Sequence, residues 1–126
     1  MLLLRLKTTT MTNSTITINI ALDDQRMPEK ITWDASASTA EKAQNAKAFI
    51  LSFWDGADKS ALRIDLWTKA MMVDEMADFF YQTMMTMADT YGRATQQNEM
   101  VEDMKEFAKN FYKKFQESQL RDKKAN

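Results

Sequence analysis

The chain has 126 residues, 44% hydrophobic and 28% charged, a balance ordinary for a soluble globular domain. It contains no cysteine and no histidine, which excludes disulfides, thiolate nucleophiles, cysteine-bound zinc, the usual general base and the commonest metal ligand. With 17 basic against 18 acidic residues the net charge is −1, so there is no basic footprint for nucleic acid, and a binding role is expected in place of catalysis.

The chain opens Met1-Leu2-Leu3-Leu4-Arg5-Leu6-Lys7, with a second methionine at Met11. Three leucines are too few for the apolar region of a signal peptide or for a membrane span, so residues 1–12 are expected as an upstream or disordered arm. Ile16, Ile18, Ile20 and Leu22 alternate with Thr17, Asn19 and Ala21, the period of a half-buried strand. A polar turn, Asp23 to Pro28, leads to a second strand over Glu29–Asp34, with Ile31 and Trp33 on one face. Ser38 and Glu41 fit a capping box, which predicts a short helix over residues 39–45.

A third strand is expected over Lys47–Asp55. Phe49, Leu51 and Phe53 would share one face, and Ile50, Ser52 and Trp54 the other. After a reversal credited to Gly56, Asp55 and Asp58, a fourth strand over Ser60–Thr68 alternates Leu62, Ile64 and Leu66 with Arg63, Asp65 and Trp67. The period then changes to 3.6. Met72, Met76, Phe79, Phe80, Thr83, Met84, Met87, Ala88 and Tyr91 predict a helix over Val73–Thr95, with Gly92 able to loosen its end. Asn98 reads as the N-cap of a second helix whose stripe is Met100, Met104, Phe107, Ala108, Phe111 and Phe115. Acidic first turns and a lysine-rich end match the helix dipoles without a functional explanation.

The expected fold is α+β: a four-stranded antiparallel sheet followed by two C-terminal helices packed on one face. It would form a single domain over residues 13–119, with a polar tail at 120–126.

The paired carboxylates Asp23/Asp24, Asp74/Glu75 and Glu102/Asp103 fall in a turn or in first helical turns and do not converge as an acid/base pair would. Two glycines cannot build a phosphate cradle, and Asp55 with Asp58 falls far short of a calcium loop. No catalytic residue, cofactor or metal site is expected. Of eleven methionines, eight lie between Met71 and Met104. Six of these, Met72, Met76, Met84, Met87, Met100 and Met104, fall on the stripes and read as core filling; Met71 and Met85 lie off them.

The remaining candidate is the sheet face away from the helices. There Ile50, Trp54, Arg63, Asp65 and Trp67 present two tryptophans and an ion pair. One reading is cross-strand stabilisation; the other is a protein-binding face, with a second copy of the chain as one such partner.

The runs Pro28-Glu29-Lys30-Ile31-Thr32-Trp33, Ala46 to Gly56, Leu62-Arg63-Ile64-Asp65-Leu66-Trp67-Thr68-Lys69 and Val73-Asp74-Glu75-Met76 resemble the gliding motility protein C (GldC) family of Bacteroidota. Ala88-Asp89-Thr90 and Arg93-Ala94-Thr95 extend the similarity, which runs from residue 13 to about 116. The resemblance implies a cytoplasmic accessory protein of surface gliding, linked to type IX secretion and peripheral to the inner membrane. It brings no catalytic residues. Two molecular roles follow: a protein-binding adaptor acting through the tryptophan face, or a holder of unfolded clients similar to the SecB export chaperone, itself a homo-oligomer. The second rests on fold-level analogy.

Overall fold

The computed structural model describes residues 11–36 and 43–125. Among the described residues five strands precede two helices, so the chain is α+β with two C-terminal helices. It divides into two compact units, one up to Ala70 and one from Met71.

In the first unit, β1 (Ile16–Leu22) and β2 (Pro28–Ala35) form an antiparallel hairpin that pairs Ile16 with Ala35, Ile18 with Trp33 and Ile20 with Ile31. Antiparallel partners share a face, so the isoleucines of β1 and the Ile31/Trp33 pair of β2 line one side. At the turn, Asp23 Oδ1 accepts the N–H groups of Gln25 and Met27, each at 2.9 Å, and Arg26 takes a left-handed φ of 62°. Pro28 opens β2, where a strand tolerates the missing donor. At the other end of the hairpin the Thr15 N–H donates to Ser36 Oγ, and the Ser36 N–H donates to the Thr15 carbonyl.

The expected four-stranded sheet is instead two sheets. β3 (Gln44–Ala46) pairs with β2, completing the order β1-β2-β3, whereas β4 (Ala48–Asp55) pairs only with β5 (Ser60–Trp67). The cause is a break at Lys47, which interrupts an otherwise extended stretch from Gln44 to Asp55 and hands it from one sheet to the other. The Lys47 carbonyl accepts both the N–H and the Oγ1 hydroxyl of Thr68, at 2.8 and 3.1 Å, and Thr68 is buried. The next residue, Lys69, reaches Asp23 at 2.8 Å, tying the β1–β2 turn to the end of β5. The Lys69 ammonium holds the Asp23 carboxyl below the usual aspartate range, and Asp23 raises Lys69 in return.

Thr68→Val keeps the shape of the side chain and removes the buried hydroxyl donor. It should lower the unfolding free energy by about 1 kcal/mol, read from urea denaturation midpoints.

Part of the short helix expected over residues 39–45 lies outside the described residues; its end is corrected, because Gln44 and Asn45 are strand. They lie opposite Trp33 and Thr32 in the ladder with β2, so pairing and not helix propensity decides the conformation. The β4–β5 reversal also differs in detail. Its left-handed residue is Lys59, at φ 53°, and Gly56 has no positive φ. Asp55 Oδ1 accepts the N–H groups of Ala57 and Asp58, so of the residues credited with the reversal Asp55 organises it as an aspartate turn.

The second unit is a helical hairpin of α1 (Val73–Thr95) and α2 (Asn98–Ala125). Glu75 accepts the Met72 N–H at 3.1 Å at the start of α1. Gln96 closes α1 with a left-handed φ of 61°, its N–H donating to the Gly92 carbonyl. Gly92 does not loosen the helix, which runs on to Thr95. A Cβ there would stand 3.0 Å from Val101 Cγ2, so the missing side chain lets the two helices approach. On α1 Ala77 and Ala88 are buried and Tyr81, Met84 and Tyr91 half-buried; on α2 Ala108 is buried and Val101, Lys105, Tyr112 and Phe115 half-buried, both sets at the four-and-three spacing of a helix–helix seam. The register is marked by Tyr81 stacked on Tyr112 at 4.8 Å and by Lys105 paired with Asp89 at 2.7 Å. The Asp78 carboxylate beside Tyr112 raises the pKa of its hydroxyl.

Candidate functional site

The β4–β5 register settles which side chains share a face. Ala48 lies opposite Trp67, Ile50 opposite Asp65, Ser52 opposite Arg63 and Trp54 opposite Ala61. All five candidate residues, Ile50, Trp54, Arg63, Asp65 and Trp67, therefore fall on one side of this two-stranded sheet. Arg63 Nε stands 3.0 Å from an Asp65 carboxylate oxygen, an ion pair between residues two apart on the same strand. Both partners are solvent-accessible, so the pair fixes side-chain direction more than it adds stability.

The tryptophans do not form a cluster. They occupy opposite ends of the ladder and different strands, with the Ile50/Asp65 and Ser52/Arg63 pairs between them. Six residues of strand separate the two levels, or about 20 Å. Trp54 is 69% exposed and Trp67 58%. Between them, small Ser52 and Ala61 leave an open depression bounded by Arg63 and Asp65. The face is thus an elongated polar floor with an aromatic ring standing at each end. It suits a protein surface better than a small molecule, which needs enclosure.

The opposite face holds the residues expected in the core: Phe49 paired with Leu66, Leu51 with Ile64 and Phe53 with Leu62. Phe53, Leu62 and Ile64 are each more than half exposed, so that expectation is corrected. The apolar ladder of β4–β5 is open along its outer half. Period-two alternation identifies such a face but says nothing about how far it is covered. The methionine reading is corrected too. Met72, Met87 and Met100, expected as core, are at least half exposed, while off-stripe Met71 and Met85 are half-buried.

The carboxylates do not converge. Asp23 is engaged by Lys69 and two turn amides, Asp55 by its own turn, and Asp74 accepts the Glu75 N–H. Among the described residues no three acidic side chains gather as a metal would need, and no helix is long and apolar enough to cross a membrane.

The family described as "Gliding motility-associated protein GldC-like" matches residues 28–117, which take in β2, both sheets' later strands and most of the helical hairpin. The chain belongs to the GldC-like family. Searches of curated proteins and of solved structures gave no match. The GldC-like region contains the whole tryptophan face, and it leaves out β1. The membership associates the chain with gliding motility.

Proposed function

We propose that this GldC-like chain is a non-catalytic adaptor of the gliding apparatus, which captures a folded protein partner on the Trp54/Arg63/Asp65/Trp67 face. The proposal places it in the cytoplasm, peripheral to the inner membrane, in a process coupled to type IX secretion. The observation that carries it is the exposure of both tryptophans at the ends of a polar, ion-paired ladder. Tryptophan and arginine are the residues most enriched where interfaces concentrate their binding energy, and a solvent face gains nothing from two bare indoles.

The test is a paired substitution, Trp54→Ala with Trp67→Ala, introduced into a gliding cell lacking the native copy. Colony spreading should be lost, and cross-linking to the partner captured by the native chain should fall at least about 30-fold. The chain's level and melting temperature should stay unchanged, because neither side chain is buried. Spreading and capture both intact would refute the adaptor reading.

A second reading, a holder of unfolded clients, draws on the exposed Phe53, Leu62 and Ile64 of the opposite face. It requires the purified chain to delay aggregation of unrelated unfolded proteins, and Leu62→Ser should abolish that delay while the tryptophan substitutions do not.

A further inference from the structure

The helical hairpin has a second apolar line on each helix, beside the one through which α1 meets α2; of its residues Met100 is also reached from α1, its sulfur accepting the Tyr91 hydroxyl at 3.3 Å. One residue before each α1 pairing position stand Met76, Phe80, Thr83 and Met87; one before each α2 position stand Met100, Met104, Phe107 and Phe111. Stepping back one residue turns the direction by about 100° on each helix. Because the helices run antiparallel, the two turns are opposite in sense when viewed along the hairpin, so both lines swing to the same side. On that side Phe107 is 66% exposed, and Phe80, Met87, Met100 and Val73 are exposed with it, while Met76, Thr83, Met104 and Phe111 are half-buried. The reverse side carries Asp78, Gln82, Asp89, Glu102, Lys109 and Lys113, with half-buried Met85 as its apolar member.

We infer that this face joins a second copy of the same chain, with α2 lying antiparallel to α2 of the partner about a two-fold axis to make a four-helix bundle. Area and charge both support it. Helices of this length, side by side, present a face of about 35 by 20 Å, or about 700 Å². Standard interfaces take about 600–1,000 Å² from each partner, so the face falls within that range.

Along the outer edge of α2, Asp103 precedes Phe107 by four residues and Lys114 follows it by seven. Both are exposed. A two-fold that reverses the helix direction brings the acidic end of one edge against the basic end of the other. Parallel α2 helices would set like charges together. Self-complementarity of this kind is a property of a surface that meets its own copy.

The test is the mass of the full chain in solution, by light scattering and sedimentation across a concentration series. Twice the chain mass of 14.6 kDa is expected, and Phe107→Asp should weaken association more than about 100-fold. Helix content, followed by circular dichroism, should be kept, since Phe107 is mostly solvent-exposed.

A second variant leaves the apolar face intact. Lys114→Glu should weaken association about threefold, and mixing it with Asp103→Lys should restore dimers containing one of each. A single-chain mass at every concentration overturns the inference, as does a dimer indifferent to Phe107→Asp or charge variants that fail to complement. The inference goes beyond the adaptor reading and does not depend on it: Trp54→Ala with Trp67→Ala should leave the mass unchanged.

Discussion

Ile31→Ala should destabilise the protein by about 3 kcal/mol, measured as a shift in the urea midpoint at unchanged slope. Ile31 is the largest side chain fully withdrawn from solvent among the described residues, at 1% exposure. It pairs with Ile20 on one side and Ala46 on the other, at the centre of the three-stranded sheet. It also lines an apolar cavity of about 210 Å³ together with Ile18, Trp33, Ala48 and Phe49. Truncation enlarges this half-open apolar pocket, whose lining residues sit on paired β-strands that resist moving inward. The cost should therefore sit within the usual ~2–5 kcal/mol for such truncations and not at the lower end. Ile31→Val, which removes one methylene, should cost about 1 kcal/mol. Equal effects from the two would show that the site collapses around the loss.

Enlarging the small residues between the helices should be the second large effect. Ala88 and Ala108 have no solvent exposure at all, and Gly92 already brings α1 to within a van der Waals contact of Val101. Ala108→Leu adds three carbons where the backbones are held close by the Tyr81–Tyr112 stack on one side and the Asp89–Lys105 pair on the other. Overpacking of this kind costs about 1–3 kcal/mol. The upper end is expected, since leucine would have to spread two long helices. Differential scanning calorimetry should show a lower melting temperature with helix content preserved below it. An Ala108→Leu chain that melts at the native temperature would mean that the seam has slack. Ala108→Ser, nearly the same size, serves as the control and should cost far less.

Where one periodicity dominated, the sequence was legible to the residue. β1 and α1 lie where alternation and the 3.6-residue stripe place them, and β5 departs only in ending at Trp67. The partition of Ile50, Trp54, Arg63, Asp65 and Trp67 from Phe49, Leu51 and Phe53 also follows from alternation, and the β4–β5 register agrees. The distance between the tryptophans was not legible, because it depends on which residue of β4 meets which residue of β5. Nor was the break at Lys47. Gln44-Asn45-Ala46 is short, polar and free of β-branched residues, so only its pairing with β2 makes it a strand. On the helices, apolar residues at adjacent positions, such as Phe79 with Phe80 and Phe107 with Ala108, merge two lines into one broad stripe. Sequence spacing cannot separate the line that meets the other helix from the line beside it.

The break at Lys47 has a kinetic consequence. Among the described residues, the strand and helix pairings join elements that are neighbours in sequence: β1 with β2, β2 with β3, β4 with β5 and α1 with α2. Each ladder therefore closes a short loop and loses little chain entropy, while the ties from Thr68 to Lys47 and from Lys69 to Asp23 join residues 21 and 46 apart. Hairpins of this kind zip in microseconds. Because Lys47 separates the β3 ladder from the β4 ladder, the two sheets need not form together. On the ribosome, the β1–β2 hairpin can close before β5 has been made, and β4–β5 can follow before the helices emerge. The chain can thus acquire its structure in the order in which it is synthesised.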